Sequence, residues 1–252
     1  MVFQVIDVLN DFNNRQAKLI TSLKLKKYRE KHGFFVAEGP KVISELLEEG
    51  LSLKWMYTVD SSLISGDNHF VISDLDLKKI SFLKTPNTSL AVFEIPKIAS
   101  LPNSGLIVAV DALRDPGNLG TIIRLCDWFG VKHLVCSSDT VDCYNPKVVQ
   151  ASMGSLGRVH IHYVLLTDFL SDTALPIYGG FMDGVRVYDA QLPEHGILVV
   201  GNEANGISQP VEATVSHRIS IPRFGPLQRT ESLNVATATA ILLSEFRRTI
   251  GK

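Results

Sequence analysis

The chain has little of what disulfide-linked, metal-bound or membrane-spanning proteins carry. Of its 252 residues three are cysteine (Cys126, Cys136 and Cys143), an odd number with no CxxC pair. That count argues against a disulfide or zinc framework and for free thiols in a reducing cytoplasm. Long apolar runs are missing too. The longest stretches without a charged residue are Ile98–Val110 and Ser232–Ser244, short of the roughly 18 apolar residues a membrane-spanning helix needs. The opening residues have an acid at position 7 and neither a basic lead nor a small-residue cleavage site, so they do not read as a secretory signal. Neither GxGxxG nor GxxxxGK[ST] occurs, which argues against an NAD enzyme or a P-loop NTPase. Nor does one charge sign dominate: 25 basic and 26 acidic residues leave a net charge of −1. A polyanionic partner has to be sought in local clusters.

What is present, 45% apolar and 20% charged residues, suits one large or two small globular domains. Residues 1–98 mix short elements: a helical run at Ala17–Lys31, strands at Phe34–Val36, Trp55–Val59, Phe70–Ile72 and Leu90–Ile95, and an amphipathic helix at Pro40–Glu49. Residues 99–105, within a stretch rich in proline and serine, have linker composition. From 106 to 252 the texture is strand–helix alternation. Leu106–Val110 and Ile197–Val200 are continuous apolar runs of the kind buried parallel strands show. Further strands are expected at His133–Cys136, Val159–Val164, Pro176–Gly179 and Arg218–Ile221. Helices are expected at Leu119–Phe129, Pro146–Met153 and Ser232–Arg248. The fold class is α/β, a parallel sheet with helices on both faces, preceded by a small α/β domain.

Ligands of open α/β sheets gather at the carboxyl ends of strands. Three polar, glycine-containing segments sit there: Asp111–Gly120, Gly201–Gly206 and Pro222–Asn234. Each residue in them has an ordinary reading. Asn118 and Ser232 stand where helix caps would, Arg124 would pair with Asp127 or Asp115 on the surface, and Glu203 would be a solvated loop carboxylate. His160 and His162 share one strand face and have metal-ligand chemistry, but without a third ligand in view they read as structural.

Together the segments resemble a family. Asp111-Ala-Leu-Arg-Asp-Pro-Gly-Asn-Leu-Gly-Thr-Ile-Ile-Arg124, then Val199-Val-Gly-Asn-Glu-Ala-Asn-Gly-Ile207, then Ile219-Ser-Ile-Pro222 with Glu231-Ser-Leu-Asn-Val-Ala-Thr-Ala-Thr-Ala240, are similar in order and spacing to motifs 1, 2 and 3 of the SpoU/TrmH-type RNA 2′-O-ribose methyltransferases. Tyr144–Gly154 resembles the segment these enzymes carry between motifs 1 and 2. Lys27–Lys31 and Phe35–Ile43 resemble their small L30e-like substrate-binding domain.

The resemblance implies a trefoil-knotted SPOUT domain that binds S-adenosylmethionine, with no metal, and methylates a ribose 2′-hydroxyl of RNA. By matched position, Gly201, Ile221 and Leu233 would contact the donor, with Ser232 and Asn234 beside it. Arg124, Asn118, Glu203, Ser232 and Asn234 would form the catalytic group. A guanidinium keeps its proton to a pH of about 12 or more, so Arg124 is read as a clamp on phosphate and developing oxyanion rather than as a base. The resemblance also implies a homodimer through the C-terminal domain. The L30e-like domain tilts the target towards ribosomal (23S) rather than transfer RNA. From Arg15 to Lys31 there are seven basic residues against one acid, and Lys24, Lys26, Lys27, Arg29 and Lys31 are the expected phosphate contacts. Two departures stand out: the loop 223–230 is longer than in many relatives, and Gln150 stands where arginine is common. The competing reading is a noncatalytic RNA-binding or ribosome-assembly factor that keeps the fold. A cytoplasmic protein with no membrane segment is expected either way.

Overall fold

The computed structural model describes residues 12–63, 66–97, 100–227 and 232–248. Residue 99 of the 99–105 linker, residues 228–230 of the 223–230 loop and Glu231 lie outside the described residues. The chain divides into two compact units, one holding residues up to Pro96 with Tyr144–Gln150, the other Lys97–Cys143 and Ala151 onward.

In the first unit, α1 (Asn14–Ser22) starts where Asn13 caps it. The Asn13 side chain accepts from the backbone N–H groups of Arg15 and Gln16, and Gln16 returns a bond to the Asn13 N–H. The helix does not run on to Lys31 as its composition suggests. It breaks at 23–25 and resumes as α2 (Lys26–His32). Arg29 fixes the break: its Nη1 donates to the carbonyls of Leu23 and Lys24 at 2.7 and 3.0 Å, satisfying the end of α1. Gly33, at φ 69°, then ends α2 and leads into β1 (Phe34–Glu38) and α3 (Pro40–Glu48). β2 (Leu53–Thr58), β3 (His69–Val71), α4 (Asp74–Ile80) and β4 (Ser89–Glu94) follow. The sheet order is β1-β4-β2-β3, antiparallel except for the β2–β3 pair. Tyr57, Leu90 and Val92 pack under Ile20, Leu23 and Ile80 in its core.

The second unit is built on a six-stranded, all-parallel sheet. In chain order its elements are β5 (Leu106–Val110), α5 (Pro116–Trp128), β6 (His133–Ser137), the end of α6 (Pro146–Ser152), β7 (His160–Val164), α7 (Leu166–Ser171), β8 (Ile177–Arg186), β9 (Gly196–Val200), α8 (Gln209–Glu212), β10 (His217–Ser220) and α9 (Val235–Arg247). The strand order is β10-β8-β9-β5-β6-β7. The five residues of β5 and of β9 are all buried, as the apolar runs require. On one face Ile107, Ala109, Ile197 and Val199 pack against Leu166 and Leu170 of α7 and Val211 of α8. On the other, Phe246 of α9 meets Tyr178 edge-on at 5.4 Å, and α5 packs against α9.

Strand β8 departs from the expected Pro176–Gly179. Its pairing with β10 jumps from Gly179↔Arg218 to Val185↔Ile219, so residues 180–184 swing out of the ladder between two consecutive partners. The excursion closes tightly at Gly184, where an added Cβ would lie 2.5 Å from the backbone of Arg218 and Ile219. Only glycine fits there.

At the other end of the sheet three histidines meet. His133 is paired in register with His160, their rings are 5.2 Å apart, and His133 Nδ1 lies 3.1 Å from His162 Nε2. Burial first, then the neighbouring imidazoles, pushes His133 and His162 below the ordinary value of 6.5. The unfolded chain therefore takes up these protons first, so their contribution to stability is intact above pH 6.5 and is lost as pH falls through the lower folded values. Urea midpoints from about pH 7.5 to about pH 5 should fall, and less so in His162→Gln. A midpoint equally pH-dependent in that variant would contradict the assignment. Among the described residues no group of three or more histidine, cysteine or acidic side chains is arranged to hold a metal ion, and no helix is long and apolar enough to cross a membrane.

Candidate active site

The first loop is organised by Asp115. Pro116 occupies the first turn of α5, and the Asp115 carboxylate caps it by accepting from the Asn118 N–H at 2.8 Å. The cap is thus three residues earlier than the Asn118 position alone suggests, and the Asn118 side chain is released for other contacts. Its Nδ2 donates to Glu203 Oε1 at 2.7 Å, while its Oδ1 accepts from Asn234 Nδ2 at 2.9 Å. Asn234, not Ser232, caps α9, its Oδ1 accepting from the N–H groups of Ala236 and Thr237. The direction of this chain is forced at both ends. A carboxylate only accepts and the helix N–H groups only donate, so both amides have one possible orientation. One side chain from each of the three motif segments meets here.

The second loop folds back on itself. Asn202 and Gly206 exchange two backbone hydrogen bonds, at 2.8 and 2.9 Å. A Cβ at Gly201 would lie 2.1–2.2 Å from the backbone of Gly206 and Ile207, so glycine is obligatory there. Beside this loop opens a cavity of about 960 Å³ lined by Gly201, Glu203, Ile221, Ser232 and Leu233, with Phe181 and Met182 of the β8 excursion forming a wall. The Phe181 ring lies over the guanidinium of Arg218 at 3.6 Å, and Asp183 and Glu212 pair with that guanidinium. In the sequence this excursion is marked by the closely spaced glycines Gly179, Gly180 and Gly184.

Arg124 does not line this cavity. It lies six residues along α5 from Asn118, about 9 Å further on and roughly 120° around the axis, on an exposed face with Gly117, Thr121 and Trp128. Neither expected acid pairs with it. Asp115 caps the helix, and Asp127 takes Arg158 at 2.8 Å together with Ser155. Among the described residues Arg124 makes no ion pair.

In the first unit Lys24, Lys26, Lys27 and Lys31 are exposed. Arg29 is separated from them, only 2% exposed and committed to the Leu23 and Lys24 carbonyls just past α1. An alternation of basic residues along a short helix does not reveal which of them points inward.

A family model for the SpoU rRNA methylase family matches residues 105–244. The chain belongs to the SpoU rRNA methylase family. A second model, for an MRM3-like substrate-binding domain, matches residues 14–91, so the SpoU unit is preceded by a domain of a kind found in its relatives. The Bacillus subtilis 23S rRNA (guanosine(2553)-2′-O)-methyltransferase RlmP is 29% identical over 247 residues, covering 93% of this chain and 96% of that one. A Porphyromonas gingivalis structure assigned to the TrmH family matches with a TM-score of 0.86 at 39% identity, over 94% of this SpoU chain and 99% of that one. The S-adenosylmethionine-bound rRNA methyltransferase of Sinorhizobium meliloti gives 0.85 at 26% identity, over 96% and 97%.

Proposed function

We propose that this SpoU-family chain transfers the methyl group of S-adenosylmethionine to a ribose 2′-hydroxyl of RNA, ribosomal RNA in particular. The observation that carries the reading is the Asn234–Asn118–Glu203 hydrogen-bond chain, which joins all three motif segments at the edge of a cavity of donor size. Names of relatives such as RlmP support the ribosomal target.

In this reading Gly201, Ile221 and Leu233 hold the donor in the cavity largely through backbone groups. Asn118, Glu203, Ser232 and Asn234 surround the acceptor ribose. The sulfonium becomes a thioether as the methyl group moves to oxygen, and the hydroxyl proton passes to solvent water. Alignment of oxygen, carbon and sulfur supplies much of the rate. Arg124 clamps phosphate and developing oxyanion. In a homodimer formed through the C-terminal unit it serves the site of a second copy, a reading supported by its position outside its own chain's cavity lining. Residues 1–98 form the RNA-binding domain, joined by 99–105 to the catalytic residues 106–252. Three free thiols suit a cytoplasmic setting.

The test is transfer of labelled methyl from S-adenosylmethionine to total RNA from cells lacking the gene, followed by nucleoside mass spectrometry. A 2′-O-methylnucleoside in ribosomal RNA is expected. A methylated base would refute the ribose target, and donor binding without transfer would favour an assembly factor.

For RNA binding, reversing charge at Lys24, Lys27 and Lys31 should weaken affinity and flatten its salt dependence by about 0.7 to 0.9 in log–log slope per lost phosphate contact. Filter binding at several salt concentrations measures it, and an unchanged slope would move the RNA surface elsewhere. Arg29→Glu should instead destabilise the α1–α2 turn, because it leaves the buried Leu23 carbonyl and the half-buried Lys24 carbonyl without its guanidinium.

A further inference from the structure

Ala112, in the first motif segment, has φ 53°, a left-handed conformation that L-residues other than asparagine and aspartate seldom adopt. Both of its backbone groups are pinned. Its N–H donates to Ser137 Oγ at 2.8 Å, and its carbonyl accepts from Asn202 Nδ2 at 2.7 Å. Asn202 cannot turn its amide over, because its Oδ1 is occupied by the Ala204 N–H at 2.8 Å. The residue before Ala112 is held to the second motif segment as well. The Asp111 N–H donates to the Val200 carbonyl at 2.9 Å, and its buried carboxylate accepts from the Ser208 N–H at 2.7 Å.

Only Leu113 and Arg114 separate Ala112 from Asp115, the cap of α5. The backbone direction at Ala112 therefore sets where α5 begins and where Asn118, in its first turn, presents its amide. The residue after Asn202 is Glu203, the acceptor of that amide. Asn202 also lines the cavity. A strained residue persists only where its surroundings over-determine it; here Ser137 and Asn202 hold Ala112 from either side, and of the two Asn202 reaches from the cavity wall.

We propose that Asn202 is a positioning residue. By holding Ala112 in its left-handed conformation it brings Asn118 to Glu203, so that the loop that grips the donor also assembles the acceptor site. The inference rests on the methyltransferase reading above. Asn202 contributes to turnover more than to donor affinity, and it acts through the backbone of Ala112.

The test uses the full-length chain with the RNA it methylates, at a temperature well below the unfolding midpoint of every variant. Asn202→Ala removes the bond to Ala112 together with the one accepted from the Ala204 N–H. Asn202→Asp keeps the acceptor but sets a carboxylate against the carbonyl. Both should lower kcat roughly 10- to 100-fold, while the calorimetric Kd for S-adenosylhomocysteine changes by less than about threefold. The decisive variant is the double one. Glycine takes φ 53° without strain, so Ala112→Gly in the Asn202→Ala background should recover a large part of the lost kcat. A double variant no faster than Asn202→Ala overturns the inference. So does a loss of donor affinity as large as the loss of turnover, which would make Asn202 a donor contact. Wild-type chain that binds donor yet methylates no RNA overturns the functional reading itself, and with it this inference. That failure appears in the wild-type arm, whereas the others appear only in the variants.

Discussion

Replacing Arg124 by alanine should lower turnover by about 10² or more, ~2.7 kcal/mol of barrier, with donor affinity nearly unchanged. Arg124 is exposed, and the two acids best placed to neutralise it have other partners. An arginine that makes no ion pair among the described residues is available for a phosphate or an oxyanion, which its planar fork can hold through two hydrogen bonds. Lysine should restore only part of the rate, because it keeps the charge and loses the fork. Single-turnover methyl transfer at saturating donor measures the effect. A near-normal rate for Arg124→Ala on the true substrate would remove it from the catalytic group. Mixing Arg124→Ala chains with chains defective in the donor cavity goes further. If Arg124 serves a second copy's cavity, mixed dimers regain activity, each carrying one intact composite site.

Gly201→Ala is expected to weaken donor binding at least about 100-fold, some 2.7 kcal/mol, and to lower stability by about 1–3 kcal/mol. The added methyl would collide with the backbone of Gly206 and Ile207 rather than with a side chain that can rotate away. Relief requires opening the Asn202–Gly206 closure that shapes the cavity wall. Gly206→Ala is the control. It stands at φ 67° with no atom near an added Cβ, so it pays only conformational strain, about 1–2 kcal/mol, and should bind donor far better. Calorimetry with S-adenosylhomocysteine and thermal unfolding of both variants distinguish the two cases. Normal donor binding by Gly201→Ala would mean that this cavity is not the donor site.

Much of the catalytic unit was legible in the sequence, for a physical reason. A strand buried on both faces must be apolar at every position, so Leu106–Val110 and Ile197–Val200 announce themselves, and the polar loops after them follow. The motif residues could be named because their types and spacing are specific. What escaped depends on tertiary contacts. Leu23–Leu25 break an otherwise helical run because Arg29 reaches back to cap it, and the same contact hides a charge that composition alone assigns to the surface. Asparagine suits a helix cap, so Asn118 reads as one, although Asp115 before Pro116 carries the better signal. The short helices α4, α7 and α8 owe more to the sheets they cover than to their own periodicity. Asn202 stood in plain view within the second motif, but only the left-handed backbone at Ala112 gives its side chain a task.

The three thiols, unremarkable as chemistry, make the catalytic unit self-reporting. Cys126, Cys136 and Cys143 are all buried, and burial pushes Cys126 and Cys136 well above the ordinary thiol range. A reactive thiolate therefore forms only when the unit opens. The pace at which an alkylating reagent consumes these sulfurs in native buffer times that opening. S-adenosylhomocysteine should slow it by the factor that ligand linkage dictates, which gives a readout of donor occupancy before any RNA substrate is in hand.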